Sequence, residues 1–344
     1  MEKKGKFKKG FITMLGTLRI GISLGAVELT YPKEGKGDRI LGYKKLENSL
    51  GITESHEGNI VTVNSGGIPL ERVFGATEDE NSKAEVLKNN KVIVDGGILK
   101  SNGYWEENNI KEIRGGSVYG AAGQKSLVTD NTVIIKGNSE IGGNVYGGYT
   151  HRGSAINNKV ILDGSPKFGV ESTLFGGRGS RNTSMSEDKK TLAPLDVVTG
   201  NTLEVNTRNV TVKDVKNFEK YIFNINGDDI KENDKLLILT NEKGINLNKP
   251  EEVKVSSKLE VSEEEKNRII KEKNKDIDIK IDVFLKNKPS KEIRNMKVVL
   301  INADKGISLS RLPKNIDRRE NGYKYQVKFE KDSKNLYAII SVQK

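Results

Sequence analysis

The residues of this chain whose types could do chemistry are few: two histidines, no cysteine, and carboxylates dispersed among lysines. Neither His56 nor His151 has an acidic or imidazole neighbour at metal-ligand spacing, so both read as loop histidines. The missing cysteine excludes disulfide frameworks, thiolate zinc sites and thiol nucleophiles. Ser154 and Ser165 lie near His151 and Asp163, but no G-x-S-x-G elbow surrounds either. "GGRGSR" from Gly176 lacks the G-K-[ST] ending of a phosphate loop and the aspartate of a calcium-binding nonapeptide. Asp276, Asp278 and Asp282 share one strand parity, yet Lys275, Lys280 and Lys286 around them favour a solvated charged face. Glu106 and Glu107 beside Trp105 leave a paired-carboxylate glycosidase open as a rival. No cofactor and no metal are expected. The residues then favour recognition over reaction, and the candidates are Tyr104, Trp105, Tyr149, His151 and Arg152. Aromatic side chains and arginine supply most interface energy, and Trp105 is the single tryptophan.

What positions these residues is a repeat. Five segments align: "NIVTVNSGG" from Asn59, "NKVIVDGG" from Asn90, "NTVIIKGN" from Asn131, "NKVILDGS" from Asn158 and "NTLEVNTR" from Asn201. Strand side chains alternate between two faces. On the face that begins with the asparagine, every following position is Val, Ile or Leu. The other face varies, with Lys91, Asp95, Thr132, Lys136, Lys159 and Glu204. One constant aliphatic face and one polar face predict strands with their backs to water. A second module follows four of the segments: "RVFGA", "SVYGA", "NVYGG" and "TLFGG", in which the aromatic is followed by Gly75, Gly120, Gly147 or Gly176. A glycine there supplies either a positive φ or close approach of neighbouring backbones. Stacking the repeats predicts an aromatic ladder of Phe74, Tyr119, Tyr146 and Phe175, and an asparagine ladder at the strand starts. The stretch "SNGYWEENNIKEI" at 101–113 is extra and is predicted to be a loop thrown out of one repeat. A β-sandwich is the competing architecture, since "VDGG" and "LDGS" partly suit hairpin turns.

Charge narrows the partners. The chain carries 58 Lys and Arg against 47 Asp and Glu, a formal +11. Residues 1–36 hold eight basic and three acidic residues and so supply +5 of it. Elsewhere the two signs interleave, and no aromatics alternate with a basic run, so nucleic acid is not an expected partner. The basic start "MEKKGKFKKG" and apolar "FITMLGTLRIGISLGA" have the layout of a secretory signal ending near Ala26. A disordered basic tail entering a first strand is the alternative.

The pairing of N-x-V-x-[IVL]-[DK]-G with G-[GN]-x-V-Y-G-[GA], strongest in "GNSEIGGNVYGGYTHRGSAINNKVILDGSPKFG" at 137–169, resembles the passenger domains of Gram-negative autotransporters. The resemblance covers roughly residues 58–226. It implies a right-handed parallel β-helix (a β-solenoid) displayed on the cell surface, with adhesion as the commonest role. The sequence shows no run resembling the family's C-terminal membrane β-barrel, so either the barrel is a separate or lost segment, with an outer-membrane translocator as the implied partner if it is separate, or this is a secreted passenger-like fragment.

After about residue 226 the glycine repeat gives way to denser charge. "KYIFNI", "KLLILT", "EVKVSSKLEV", "IDIKIDVFL", "MKVVLI", "YKYQVKFE" and "LYAIISV" are expected strands, the last two joined as a hairpin through "KDSKN". "SEEEKNRIIKEKN" is expected to be one exposed helix capped by Ser262. The expected organisation is a leader at 1–36, β-solenoid repeats at 37–226 and a β-rich cap or stalk with one short helix at 227–344. The expected role is a non-catalytic, exported surface passenger, secreted or held at the outer membrane, that binds a host-cell protein or glycan. A β-helical polysaccharide-active enzyme of tailspike type, and an intracellular basic binding protein, are the alternatives.

Overall fold

The computed structural model describes residues 25–32, 49–53, 55–78, 84–107, 110–179, 183–185, 192–251, 261–320 and 322–343. The expected secretory signal therefore lies outside the described residues except for Gly25 and Ala26. Among the described residues the chain is all-β, 51% strand with one helix, and its two largest sheets are built on parallel pairs.

The five aligned segments are consecutive neighbours in the first sheet. Its eight strands run Glu28–Tyr31, Ile60–Asn64, Lys91–Asp95, Thr132–Lys136, Lys159–Leu162, Thr202–Val205, Lys220–Ile225 and Lys280–Leu285, all parallel. Val61, Val92, Val133, Val160 and Leu203 stand opposite one another in register, and all five are fully buried. The period-2 alternation read from the sequence is thus the inward face of this sheet. Beyond Leu203 the same column is continued by Tyr221, and beyond Val205 by Phe223, so larger rings fill the core there. The opposite face is half exposed and less free than expected: its central column repeats as Ile93, Ile134 and Ile161.

A second parallel sheet takes the second module. Its main path is Ser49–Gly51, Arg72–Phe74, Ser117–Tyr119, Val145–Thr150, Thr173–Gly179 and Asp214–Lys216. Val73, Val118, Val145 and Leu174 point into the core shared with the first sheet. Short strands complete each repeat: Val86–Lys88, Leu127–Thr129 and Ala155–Ile156 form one three-stranded sheet, and Ile98–Leu99, Glu140–Ile141 and Lys167–Phe168 another.

The asparagines that open the strands are buried and bond to one another across the repeats. Each Nδ2 donates to the next Oδ1, at 2.8 Å from Asn59 to Asn90, 2.9 Å from Asn90 to Asn131, 3.0 Å from Asn131 to Asn158 and 3.4 Å from Asn158 to Asn201. Each Oδ1 from Asn90 to Asn201 also accepts the backbone N–H of the preceding asparagine, at 2.8–3.1 Å. The second amide proton of each goes to a carbonyl, for example Leu87 O for Asn131 and Val128 O for Asn158. A buried amide is stabilising only when satisfied in this way. The residue before each rung, Gly58, Asn89, Asp130, Asn157 or Gly200, has φ between 56° and 75°. Glycine, asparagine and aspartate are the residues that tolerate this left-handed corner.

The module glycines are explained by the same ladder. Gly75, Gly120, Gly147 and Gly176 do not take positive φ. A Cβ on Gly120 would lie 2.2 Å from Gly147 O and 3.1 Å from the Asn131 Cβ; on Gly147, 2.5 Å from Gly176 O and 2.9 Å from the Asn158 Cβ. Of the two reasons expected for these glycines, close approach is the operative one.

In the C-terminal third, most of the expected strands form. Lys235–Leu239, Met296–Ala303, Tyr323–Lys331 and Asn335–Gln343 join Val210–Val212 and Ile316–Glu320 in a six-stranded sheet, and the last two expected strands pair antiparallel as a hairpin. The expected strand "EVKVSSKLEV" lies outside the described residues but for its last position. From beyond residue 226, Lys280–Leu285 is laid onto Lys220–Ile225 as the final strand of the first sheet. That final edge is sealed by side chains of the antiparallel end. Tyr323 donates to Leu285 O at 2.8 Å, and Arg318 binds both oxygens of Asp282 at 3.0 and 3.2 Å. The Arg318 guanidinium also lies 3.9 Å from the centre of the Phe284 ring. Blocking an open edge in this way prevents further strand pairing. The helix is Glu263–Lys273, with Ser262 Oγ accepting from Glu265 N at 3.1 Å.

Candidate binding surfaces

Outward from the second sheet, on the side away from the core, Phe74, Tyr119, Tyr146 and Phe175 stack face to face. Their centroids are 4.7, 4.7 and 5.1 Å apart and their planes within 16° of parallel. The spacing is that of neighbouring strands, so strand pairing itself holds the rings at stacking distance. At one end the Phe74 ring lies against Gly51, where an added Cβ would sit 3.2 Å from a ring carbon. At the other end the Arg178 guanidinium lies 4.9 Å from the Phe175 centroid and pairs with Glu251 at 3.0 Å. Burial pushes the Tyr146 phenol up against the opposing pull of Arg178, and Asn144 donates to its oxygen at 2.9 Å. Because each ring face is used by a neighbour, this ladder cannot offer faces for a sugar to stack on. It is a structural spine.

Tyr149 belongs to that spine. It meets Tyr119 and Tyr146 edge-on, at 5.7 and 5.5 Å. The chain then runs beside residues 121–124, with Tyr149 N donating to Ala121 O, His151 N to Gly123 O and Arg152 N to Gln124 O. Arg152 is exposed, while Tyr149 and His151 are half buried. Of the expected candidates, Tyr149 has its ring occupied by packing and Arg152 projects from the end of the strand.

The segment expected to be a loop is a β-hairpin. Ser101–Glu107 pairs antiparallel with Ile110–Gly115, placing Tyr104 opposite Ile113, Trp105 opposite Glu112 and Glu106 opposite Lys111. The expectation of a loop rested on the segment being an interruption of the repeat. Its base is locked by tight backbone contacts, since a Cβ on Gly116 would lie 2.8 Å from Ser101 N and 2.6 Å from Gly143 N. The hairpin leaves the body just before Ser117–Tyr119, whereas Tyr149–Arg152 end the adjacent strand. The strand Val145–Thr150 separates the two, about 17 Å of extended chain. Tyr104 and Trp105 are therefore not on the same corner as Tyr149, His151 and Arg152. A second hairpin, Thr183–Met185 with Leu192–Pro194, leaves after Thr173–Gly179, and the helix lies beside it.

Two of the three aspartates of one strand parity, Asp276 and Asp282, are paired with cations. Asp276 pairs with Lys249 at 2.6 Å, which lowers its pKa, and Asp282 is held by Arg318. Among the described residues no three His, Asp or Glu side chains gather as a metal site, and no helix is long and apolar enough to cross a membrane. Sequence reasoning missed the Arg178–Glu251 clamp, whose partners are 73 residues apart. It also passed over the left-handed residue before each ladder asparagine, a signal visible in the doublets Gly-Asn, Asn-Asn and Asp-Asn. Compared with family models, curated proteins and solved structures, the chain matches none.

Proposed function

We propose that this chain is an exported, non-catalytic surface protein of the autotransporter-passenger kind, with a right-handed parallel β-helix as its body. The observation that carries the reading is the buried asparagine ladder, which runs in register through five successive repeats. A rigid body that repeats at strand spacing is suited to holding a recognition element away from a cell surface. Parallel strands joined by crossovers are almost always right-handed, which favours that hand. Residues 227–344 act as the cap, an assignment supported by the contacts of Tyr323 and Arg318 on the last strand. The hairpin Ser101–Glu107 with Ile110–Gly115, carrying Tyr104 and Trp105, is the adhesive element, and a host-cell protein or glycan is its partner.

The test is a binding screen of the full chain against host proteins and glycans, repeated with residues 102–114 replaced by Gly-Gly. Loss of binding with an unchanged far-UV circular dichroism spectrum supports the reading. Equal binding by both chains removes the hairpin from it. Fractionation that finds the chain only in the cytosol, uncleaved near residue 26, overturns export.

A further inference from the structure

Between Lys167–Phe168 and Val210–Val212 the run of short strands changes sheet. The two segments lie side by side, yet they belong to separate sheets and are not joined as a ladder. At this discontinuity the body has a groove of about 500 Å³, extending to the turn after Lys235–Leu239. Its volume is in the range of small-ligand sites, ~300–1,000 Å³. We infer that this groove is a binding subsite for a neutral oligosaccharide, a reading that deepens the binding role proposed above and rests on it.

The class of ligand follows from the lining. The walls carry two acids, Glu171 and Glu242, and two lysines, Lys213 and Lys243, so the groove is balanced within a chain of formal charge +11. Glu171 and Lys213 are paired with each other across it and both are only partly exposed. An anionic polymer would meet as much repulsion as attraction here. Thr211 and Thr240 are exposed and add hydroxyls, and Asn241 is held in place by donating to Asp214 Oδ2 at 2.8 Å while accepting from Lys243 N at 3.0 Å. Fixed donors and acceptors without net charge match a polyol, whose hydroxyls both donate and accept. The rim supplies the apolar part that a sugar's C–H face needs. Val170 is 81% exposed, the most exposed of the large apolar side chains among the described residues, with the half-buried Phe168 beside it.

The groove also shares a corner with the adhesive hairpin. That hairpin leaves between Ile98–Leu99 and Ser117–Tyr119, and the groove residues 168–171 occupy the equivalent position between Lys167–Phe168 and Thr173–Gly179, two repeats further on. Two strand spacings, about 10 Å, separate them along the stack. A glycan chain seated in the groove therefore passes close to the hairpin base.

The experiment measures binding of the full chain to immobilised maltohexaose, cellohexaose and chitohexaose, with heparin and polygalacturonate as anionic probes, at 50 and 500 mM NaCl. Thr211→Arg and Thr240→Arg fill the groove from exposed positions, and circular dichroism checks their fold. The expected result is binding of at least one neutral hexasaccharide that changes less than twofold with salt. That binding falls at least tenfold in each arginine variant and persists when residues 102–114 are replaced by Gly-Gly. Binding of only the anionic probes, of no neutral sugar, or of a neutral sugar equally by wild type and both arginine variants overturns the inference. A chain that still binds a host protein through the hairpin in those cases leaves the adhesive reading standing.

Discussion

Replacing Asn131 by alanine takes out the middle rung of the asparagine ladder. The native side chain accepts from Asn90 N at 3.0 Å and Asn90 Nδ2 at 2.9 Å, and donates to Asn158 Oδ1 at 3.0 Å and Leu87 O at 3.1 Å. After the change Asn90 Nδ2 keeps His56 O, and Asn158 Oδ1 keeps the backbone N–H of residue 131. Asn90 N loses the acceptor that holds it. Four buried bonds at about 1 kcal/mol each, with a further ~1 kcal/mol for a stranded N–H, give a loss of about 5 kcal/mol. Asn59, at the ladder's end, donates to Asn90 Oδ1 and Ser55 O and accepts from Val27 N, so Asn59→Ala should cost less, about 3 kcal/mol. Thr132→Ala, next to the rung but half exposed, should stay within about 0.5 kcal/mol. Equilibrium urea unfolding followed by far-UV circular dichroism measures all three. If Asn131→Ala unfolds within about 1 kcal/mol of Thr132→Ala, the ladder is not a principal source of stability and the reasoning fails.

Gly147→Ala should cost about 3 kcal/mol in the same assay, because its Cβ would meet backbone oxygen and the Asn158 side chain, while Gly25→Ala, with nothing within 4 Å, should be neutral. Tyr323→Phe removes the hydroxyl from Leu285 O and should cost about 1 kcal/mol. If it also produces concentration-dependent association by light scattering, the edge seal has been breached. Lys280 first, and then the Gly200 N–H, hold the Glu219 carboxyl below the usual glutamate range. A depressed folded pKa gives stability that is present above the unfolded value, about 4.3, and lost as pH falls through the folded one. Glu219→Gln should therefore flatten the acid-side loss of stability below about pH 4.3, measured by pH-dependent unfolding; an unchanged acid limb contradicts this.

How much could be read in advance differs by kind of feature. The inward column Val61, Val92, Val133, Val160 and Leu203 was legible because strand alternation is local and an apolar residue at every second position has one reading. The stacked rings were legible because four short motifs carry an aromatic at the same offset. The candidate site was legible only in part. Tyr149 could be named as an aromatic near a repeat, but its edge-on contact with Tyr119 and Tyr146 uses the ring for packing. The 101–113 segment could be named as an insertion, but its antiparallel pairing, Ser101–Glu107 against Ile110–Gly115, is a backbone register that the interruption of the repeat did not announce. The groove at Val170 carried no sequence signal, since it arises where two strands lie adjacent without pairing.

By itself, then, the sequence determined which residues face inward, where each repeat begins, and that asparagines and rings would align. Those properties follow from the identity of residues two or a few positions apart. Only the tertiary structure decided what the aligned residues do. The module glycines are required by contact with a ladder whose rungs are 27 to 43 residues apart along the chain. The aromatic spine lies outside the core and is closed by Arg178 and Glu251, 73 residues apart. The last strand of the first sheet is drawn from beyond the repeat, at Lys280–Leu285, and sealed from Tyr323 and Arg318. Each of these depends on which distant segment is stacked above or below, and local side-chain periodicity carries no record of that.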